Sequence, residues 1–170
     1  RHADLLVLGR LQATALGARL AGVPLAAVVT SPLARTVETA DLMLDAAGLS
    51  VPRHVDDRVG ECRYGDWTGA SLKTLVKDPM WKVVQSHPSA AVFPGADGES
   101  MAAMQHRAVT SVRGWNAELG DSAVYAVVSH GDVIKAIVAD AVGLHLDQFQ
   151  RLQVDPCSLT VIRYTELRPF

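Results

Sequence analysis

A chain of 170 residues, 49% of them hydrophobic, can bury one substantial core but is short for two domains. Lys plus Arg number 16 against 18 acids, the net charge is −2, and no apolar run approaches the roughly 18 residues of a membrane span; neither nucleic acid nor a membrane is expected as partner. Cys62 and Cys157 form no close-spaced pair, which suits two inert thiols in a reducing compartment, so a cytoplasmic location is expected, with a leader upstream of Arg1 left open.

Residues 5–21 place Leu8, Leu11, Ala15 and Ala18 on one stripe, widened by Leu16 and Leu20, and end at Gly22 and Pro24, which predicts a helix. Residues 25–30 form a short apolar run broken by Ser31-Pro32, a strand buried on both faces. From Leu33 the spacing turns helical again, with Val37, Ala40, Leu44 and Ala47 inward and Gly48 as the stop. Residues 51–55 suit a shorter strand. Residues 58–69 carry three glycines and two aromatics without periodicity and predict an ordered loop of the kind that serves function.

Residues 70–86 predict one or two short helices interrupted at Pro79, with Trp81 and Val84 packing, and residues 91–98 a turn region. Met101, Met104, Ala108, Val112, Trp115 and Leu119 mark a long amphipathic helix, entered through the acids Asp97 and Glu99. Residues 123–128 read as a second buried strand ending in Ser129-His130-Gly131-Asp132, with a helix after it that turns Val133, Ile134, Ile137, Val138, Ala141 and Val142 inward. A short helix over 146–152 and a last strand over 158–164 complete the chain. Alternating strands and helices predict one α/β domain over residues 1–170, a three-layer sandwich with a mostly parallel central sheet flanked by helices.

In such sheets ligands bind beyond the carboxyl ends of the strands. Both strong strands end there in polar residues, Ser31 with Arg35 just beyond, and Ser129-His130-Gly131, and each leads into a helix whose free N–H groups favour an anion. A guanidinium fork beside a His suits phosphate. Taken singly, a His at a strand end is more often a hydrogen-bonding residue and an Arg after Ser-Pro a helix cap; only their joint placement points to an anion site. His54, His87, His106 and His145 show no close ligand spacing, and no metal or other cofactor is expected.

Arg1-His2, the segment Ser31-Pro32-Leu33-Ala34-Arg35-Thr36-Val37-Glu38-Thr39-Ala40, the loop Glu61-Cys62-Arg63-Tyr64-Gly65-Asp66-Trp67-Thr68-Gly69, and Ser129-His130-Gly131-Asp132-Val133-Ile134 follow one another in an order that resembles the histidine phosphatase superfamily, the phosphoglycerate mutase-like proteins. Gly9-Arg10-Leu11-Gln12-Ala13 and Gly98-Glu99-Ser100 add to the likeness, which spans nearly the whole chain. The resemblance implies that His2 is the nucleophile and becomes a phosphohistidine. It further implies that Arg1, Arg35 and His130 hold the phosphoryl oxygens, and that Glu61 is first general acid and then general base. The expected activity is hydrolysis of a small-molecule phosphomonoester. Phosphoglycerate mutase activity is the near alternative, and a non-catalytic phospho-ligand binder the alternative of another class. The region 62–98 is short for a dedicated mutase; Lys73, Lys77 and Lys82 could meet a second anionic group, although a solvated lysine face accounts for them as well. An apolar sheet edge could support a homodimer.

The pattern departs from the family at its start. There Arg-His is followed by Gly and a loop before the first helix, whereas Ala3-Asp4-Leu5 follows His2 at once here, and no strand precedes Arg1. The expectation is that an N-terminal strand and the loop after His2 are missing from this sequence; a genuine deletion would leave a pseudoenzyme.

Overall fold

The computed structural model describes residues 6–170. Among them a parallel sheet of three strands, order β2-β1-β3, is built from β1 (Leu25–Thr30), β2 (Arg53–Val55) and β3 (Val124–Val128). Register pairs Val28 with Arg53 on one side of β1 and with Ala126 on the other. All three strands run the same way, so their carboxyl ends share one edge. Six helices accompany them: α1 (Val7–Leu20), α2 (Ala34–Ala47), α3 (Leu72–Leu75), α4 (Pro79–Ser86), α5 (Met101–Leu119) and α6 (Gly131–Ala141). None is long and apolar enough to cross a membrane.

One face of the sheet is covered by α1 and α2, through Leu16, Leu20, Ala40, Met43 and Leu44 against Leu25 and Val28. On the other, Val29 meets Val59 and Trp115 of α5, and a larger apolar body joins α5, α6, Phe93 and Phe149. The helix predicted first forms, but its inward stripe is Ala13, Leu16, Gly17 and Leu20, while Leu8 and Leu11 lie exposed. Close packing selects that stripe. A Cβ on Gly17 would stand 2.3 Å from the Met43 carbonyl oxygen, so α1 and α2 approach with backbone against side-chain-free backbone.

Four other expectations are corrected. The entry of α5 is capped by Ser100, whose hydroxyl accepts from the Ala103 amide at 3.0 Å, while Asp97 is exposed and Glu99 is turned inward as an anchor. The strand expected over residues 158–164 forms no ladder, because none of its backbone groups pairs with a described strand; Ile162 and Tyr164 still pack inward at alternate positions. For the same reason β3, whose one partner among the described residues is β1, is half-buried rather than buried, and Val124 is 47% exposed. Val142, expected inward at the end of α6, is exposed. The helices anticipated around Pro79 appear as α3 and α4, with Pro79 at the first position of α4, where its missing N–H costs nothing.

Candidate active site

The end of β1 and the start of α2 place Ser31 and Arg35. The Ser31 amide donates to the Val128 carbonyl at 3.0 Å, extending the sheet one residue past β1 and fixing Ser31 beside the end of β3. The Thr36 hydroxyl bonds the Leu33 carbonyl at 2.7 Å and the Ser31 carbonyl at 3.0 Å, which holds the first turn of α2 and so directs Arg35. From the end of β3, His130 enters as the residue before α6 and is 5% exposed. Its Nε2 lies 2.7 Å from the Ser31 hydroxyl, and its Nδ1 is 3.0 Å from Arg35 Nη2. A guanidinium only donates, so Nδ1 accepts and the ring hydrogen sits on Nε2, donated to Ser31. His130 is thereby a neutral imidazole. Burial pushes its pKa down to about 4, with the charges of Arg35 and Arg107 adding to the effect.

Glu61 comes from the loop that follows the turn Asp57–Val59. Its Oε2 stands 3.3 Å from Arg35 Nη2 and 3.5 Å from His130 Nδ1, and its Oε1 accepts from the Cys62 amide at 3.1 Å. Burial pushes its pKa up, the Cys62 amide opposes this, and the charge of Asp132 reinforces it. A carboxyl held toward its protonated form, a neutral His and an always-charged Arg therefore meet within hydrogen-bond reach at one sheet edge.

That loop is irregular, and its order has a source outside it. Arg107 of α5 donates to the carbonyls of Arg58 (2.7 Å), Gly60 (2.9 Å) and Glu61 (3.0 Å). It also pairs with the buried Glu99 carboxylate at 2.6 Å, which in turn accepts from the Arg63 amide at 2.9 Å. Although burial alone would raise it, these bonds hold the Glu99 pKa below the usual carboxylate range. Gly65, at φ +54, packs where a Cβ would stand 1.9 Å from the Pro94 carbonyl oxygen, so the loop lies directly on the turn before Gly98. Below it Asp56 accepts from Ser111, Trp115 and Arg58, and the Ser129 hydroxyl donates to the Val59 carbonyl at 2.7 Å.

Of the residues the sequence singles out, Arg35, Glu61 and His130 are thus brought together. Arg1, His2 and the junction from His2 to Ala3 lie outside the described residues. Lys73, Lys77 and Lys82 are exposed. Sequence reading missed Arg107, whose signal would have been an Arg on the polar side of an otherwise apolar α5 stripe, and gave no role to Tyr64 or Asp132, whose side chains meet at 2.9 Å beside Glu61.

The chain is 30% identical to phosphoserine phosphatase 1 of Hydrogenobacter thermophilus, over 97% of this chain and 77% of that protein. It is 28% identical to the probable phosphoglycerate mutase GpmB of Yersinia enterocolitica, over 95% and 74%. Among solved structures, Bacillus stearothermophilus YhfR superposes with a TM-score of 0.88 at 27% identity, covering all of this chain and 86% of that one. The family model described as histidine phosphatase superfamily (branch 1) matches residues 2–170, and the chain belongs to that superfamily.

Proposed function

We propose that the chain is a phosphomonoester hydrolase working through a phosphohistidine on His2. The observation that carries this reading is the convergence of Arg35, His130 and Glu61 beyond the ends of β1 and β3. A neutral His2 nitrogen attacks phosphorus, a P–N bond forms and the P–O bond to the leaving group breaks, while Glu61 gives its proton to the departing oxygen. Water then attacks phosphorus as the Glu61 carboxylate takes its proton; the P–N bond breaks, and inorganic phosphate and neutral His2 result. Arg1 and Arg35 hold the phosphoryl oxygens at any working pH. As Arg35 turns to the phosphate, His130 Nδ1 is released, and the anion favours a proton there, so His130 completes the clamp.

Similarity to the probable mutase GpmB supports a second reading, return of the phosphoryl group to a phosphoglycerate. Incubation with a radiolabelled phosphodonor followed by rapid acid quench is expected to give an acid-labile, base-stable label that is absent from His2→Ala. Failure to label with any donor would favour a non-catalytic binder. A panel of phosphomonoesters is expected to release phosphate; conversion of 3-phosphoglycerate to 2-phosphoglycerate faster than phosphate release would reverse the order of the two readings.

A further inference from the structure

Tyr64 and Asp132 are polar groups beside Glu61 to which this mechanism assigns no step. The Tyr64 hydroxyl lies 2.9 Å from Asp132 Oδ2 and 3.5 Å from Glu61 Oε1. It has one hydrogen for two acceptors. The nearer oxygen belongs to a carboxylate in the first turn of α6, where the helix N-terminus favours negative charge, and Lys135 Nζ stands 3.8 Å from its other oxygen. The hydrogen therefore goes to Asp132. What Tyr64 turns toward Glu61 is a lone pair, which disfavours a carboxylate there and tolerates a carboxylic acid.

We propose that Tyr64 and Asp132 are positioning residues that hold the proton of Glu61 until the leaving oxygen takes it. The proposal rests on the hydrolase reading of the site for its purpose but not for its physics. Every charged or titratable group that faces Glu61 among the described residues has a place in it. From α2, Arg35 opposes the proton and would be drawn off by a bound phosphate. From the start of α6, His130 is neutral and Asp132 anionic. From α5, Arg107 contacts the Glu61 main-chain carbonyl and is itself neutralised by Glu99. On the loop itself, Cys62 offers its amide, and burial keeps its thiol protonated. Asp132 is thus the one anion close to the Glu61 carboxyl whose charge is not cancelled by a directly bonded guanidinium among the described residues, and the partial burial of Glu61 leaves that charge less screened than it would be at an exposed carboxyl.

The direct test is a titration of the Glu61 carboxyl by NMR on protein labelled with 13C at glutamate side chains, the resonance being assigned with Glu61→Gln. In Asp132→Asn the Glu61 midpoint is expected to fall by on the order of half a pH unit or more. The alkaline limb of the kcat profile should move with it, so that kcat is lost at neutral pH and recovered in acid while KM changes little. In Tyr64→Phe the midpoint is expected to fall; an unmoved midpoint would remove Tyr64 from the pair, and a rise would mean that Tyr64 donates to Glu61, either of which overturns its role. An unmoved or higher midpoint in Asp132→Asn overturns the role of Asp132, and Asp132→Ser gives the same reading should the Asn variant not fold cooperatively. The titration does not require turnover. A midpoint that shifts in a protein with no phosphatase activity would sink the hydrolase reading and leave the positioning pair intact.

Discussion

At the scale of single residues the site is a matter of which atom holds which hydrogen. Arg35 bridges Glu61 and His130 with one nitrogen, so an anion taken up by Arg35 would compete with those bonds. Glu61 presents Oε2 to the clamp, while Oε1 is tied to the Cys62 amide, which leaves Oε2 as the oxygen that can carry a proton outward. In the proposed acid role its value depends on the leaving group. In Glu61→Gln, kcat on an alkyl phosphate is expected to fall by about 10²–10⁴-fold, the range of a lost general acid. With p-nitrophenyl phosphate, whose leaving oxygen needs no proton, the first step should survive and a burst of p-nitrophenol should precede slow turnover. Equal losses on both substrates with no burst would remove Glu61 from the acid role.

At the scale of elements, legibility followed regularity. The strands ending at Thr30 and Val128 and the helices after them were readable because their apolar periods are strong and their polar termini fall at the shared edge. Arg35 and His130 were therefore placed by pattern alone. Glu61 was flagged by resemblance, but what fixes it was hidden: a side chain of α5, 46 residues further on, reaches the loop carbonyls of Arg58, Gly60 and Glu61, and nothing in local spacing encodes that. The acids before α5 misled for a related reason, since Glu99 looks like a helix-terminus charge and is in fact the buried counter-ion of Arg107. The failed strand over 158–164 shows that an alternating pattern specifies a face, whereas a ladder needs a neighbour.

Arg107→Met makes the loop's dependence measurable. It should leave Glu99 buried with only the exposed Arg63 as partner, destabilising by about 3–5 kcal/mol. Because Glu61 would lose its main-chain anchor, kcat should fall by about 10²-fold beyond any loss of folded protein. The double variant Arg107→Met, Glu99→Gln should recover much of the stability and little of the activity. Urea denaturation together with kinetics on the folded fraction separates the two, and recovery of both would mean that Arg107 acts only through charge balance.

At the scale of the whole molecule the same buried groups make stability depend on pH in a direction that can be worked out. His130 titrates at about 4 in the fold against an ordinary 6.5. Between those values the unfolded chain binds a proton and the folded one does not, so the neutral, buried His130 contributes stability that is lost as pH falls through that window. Asp56 and Glu99 are held below the usual range, Asp56 because Arg58, Ser111 and Trp115 outweigh its burial. Their contribution is present above the unfolded carboxylate pKa and is lost as pH falls further. Glu61, raised by burial, works the other way, becoming less costly as it protonates. The net expectation is a melting temperature that begins to fall already below about pH 6.5, where ordinary carboxylates have not yet titrated, and falls more steeply below about pH 4. In His130→Asn the upper part of that fall, on the order of a few kcal/mol across the window, should flatten while the lower part remains. Calorimetry of both proteins from pH 7 to pH 3 measures it. Parallel curves for the two would show that His130 takes its proton near the ordinary value, and with it that burial and Arg35 do not keep the imidazole neutral below about pH 6.5.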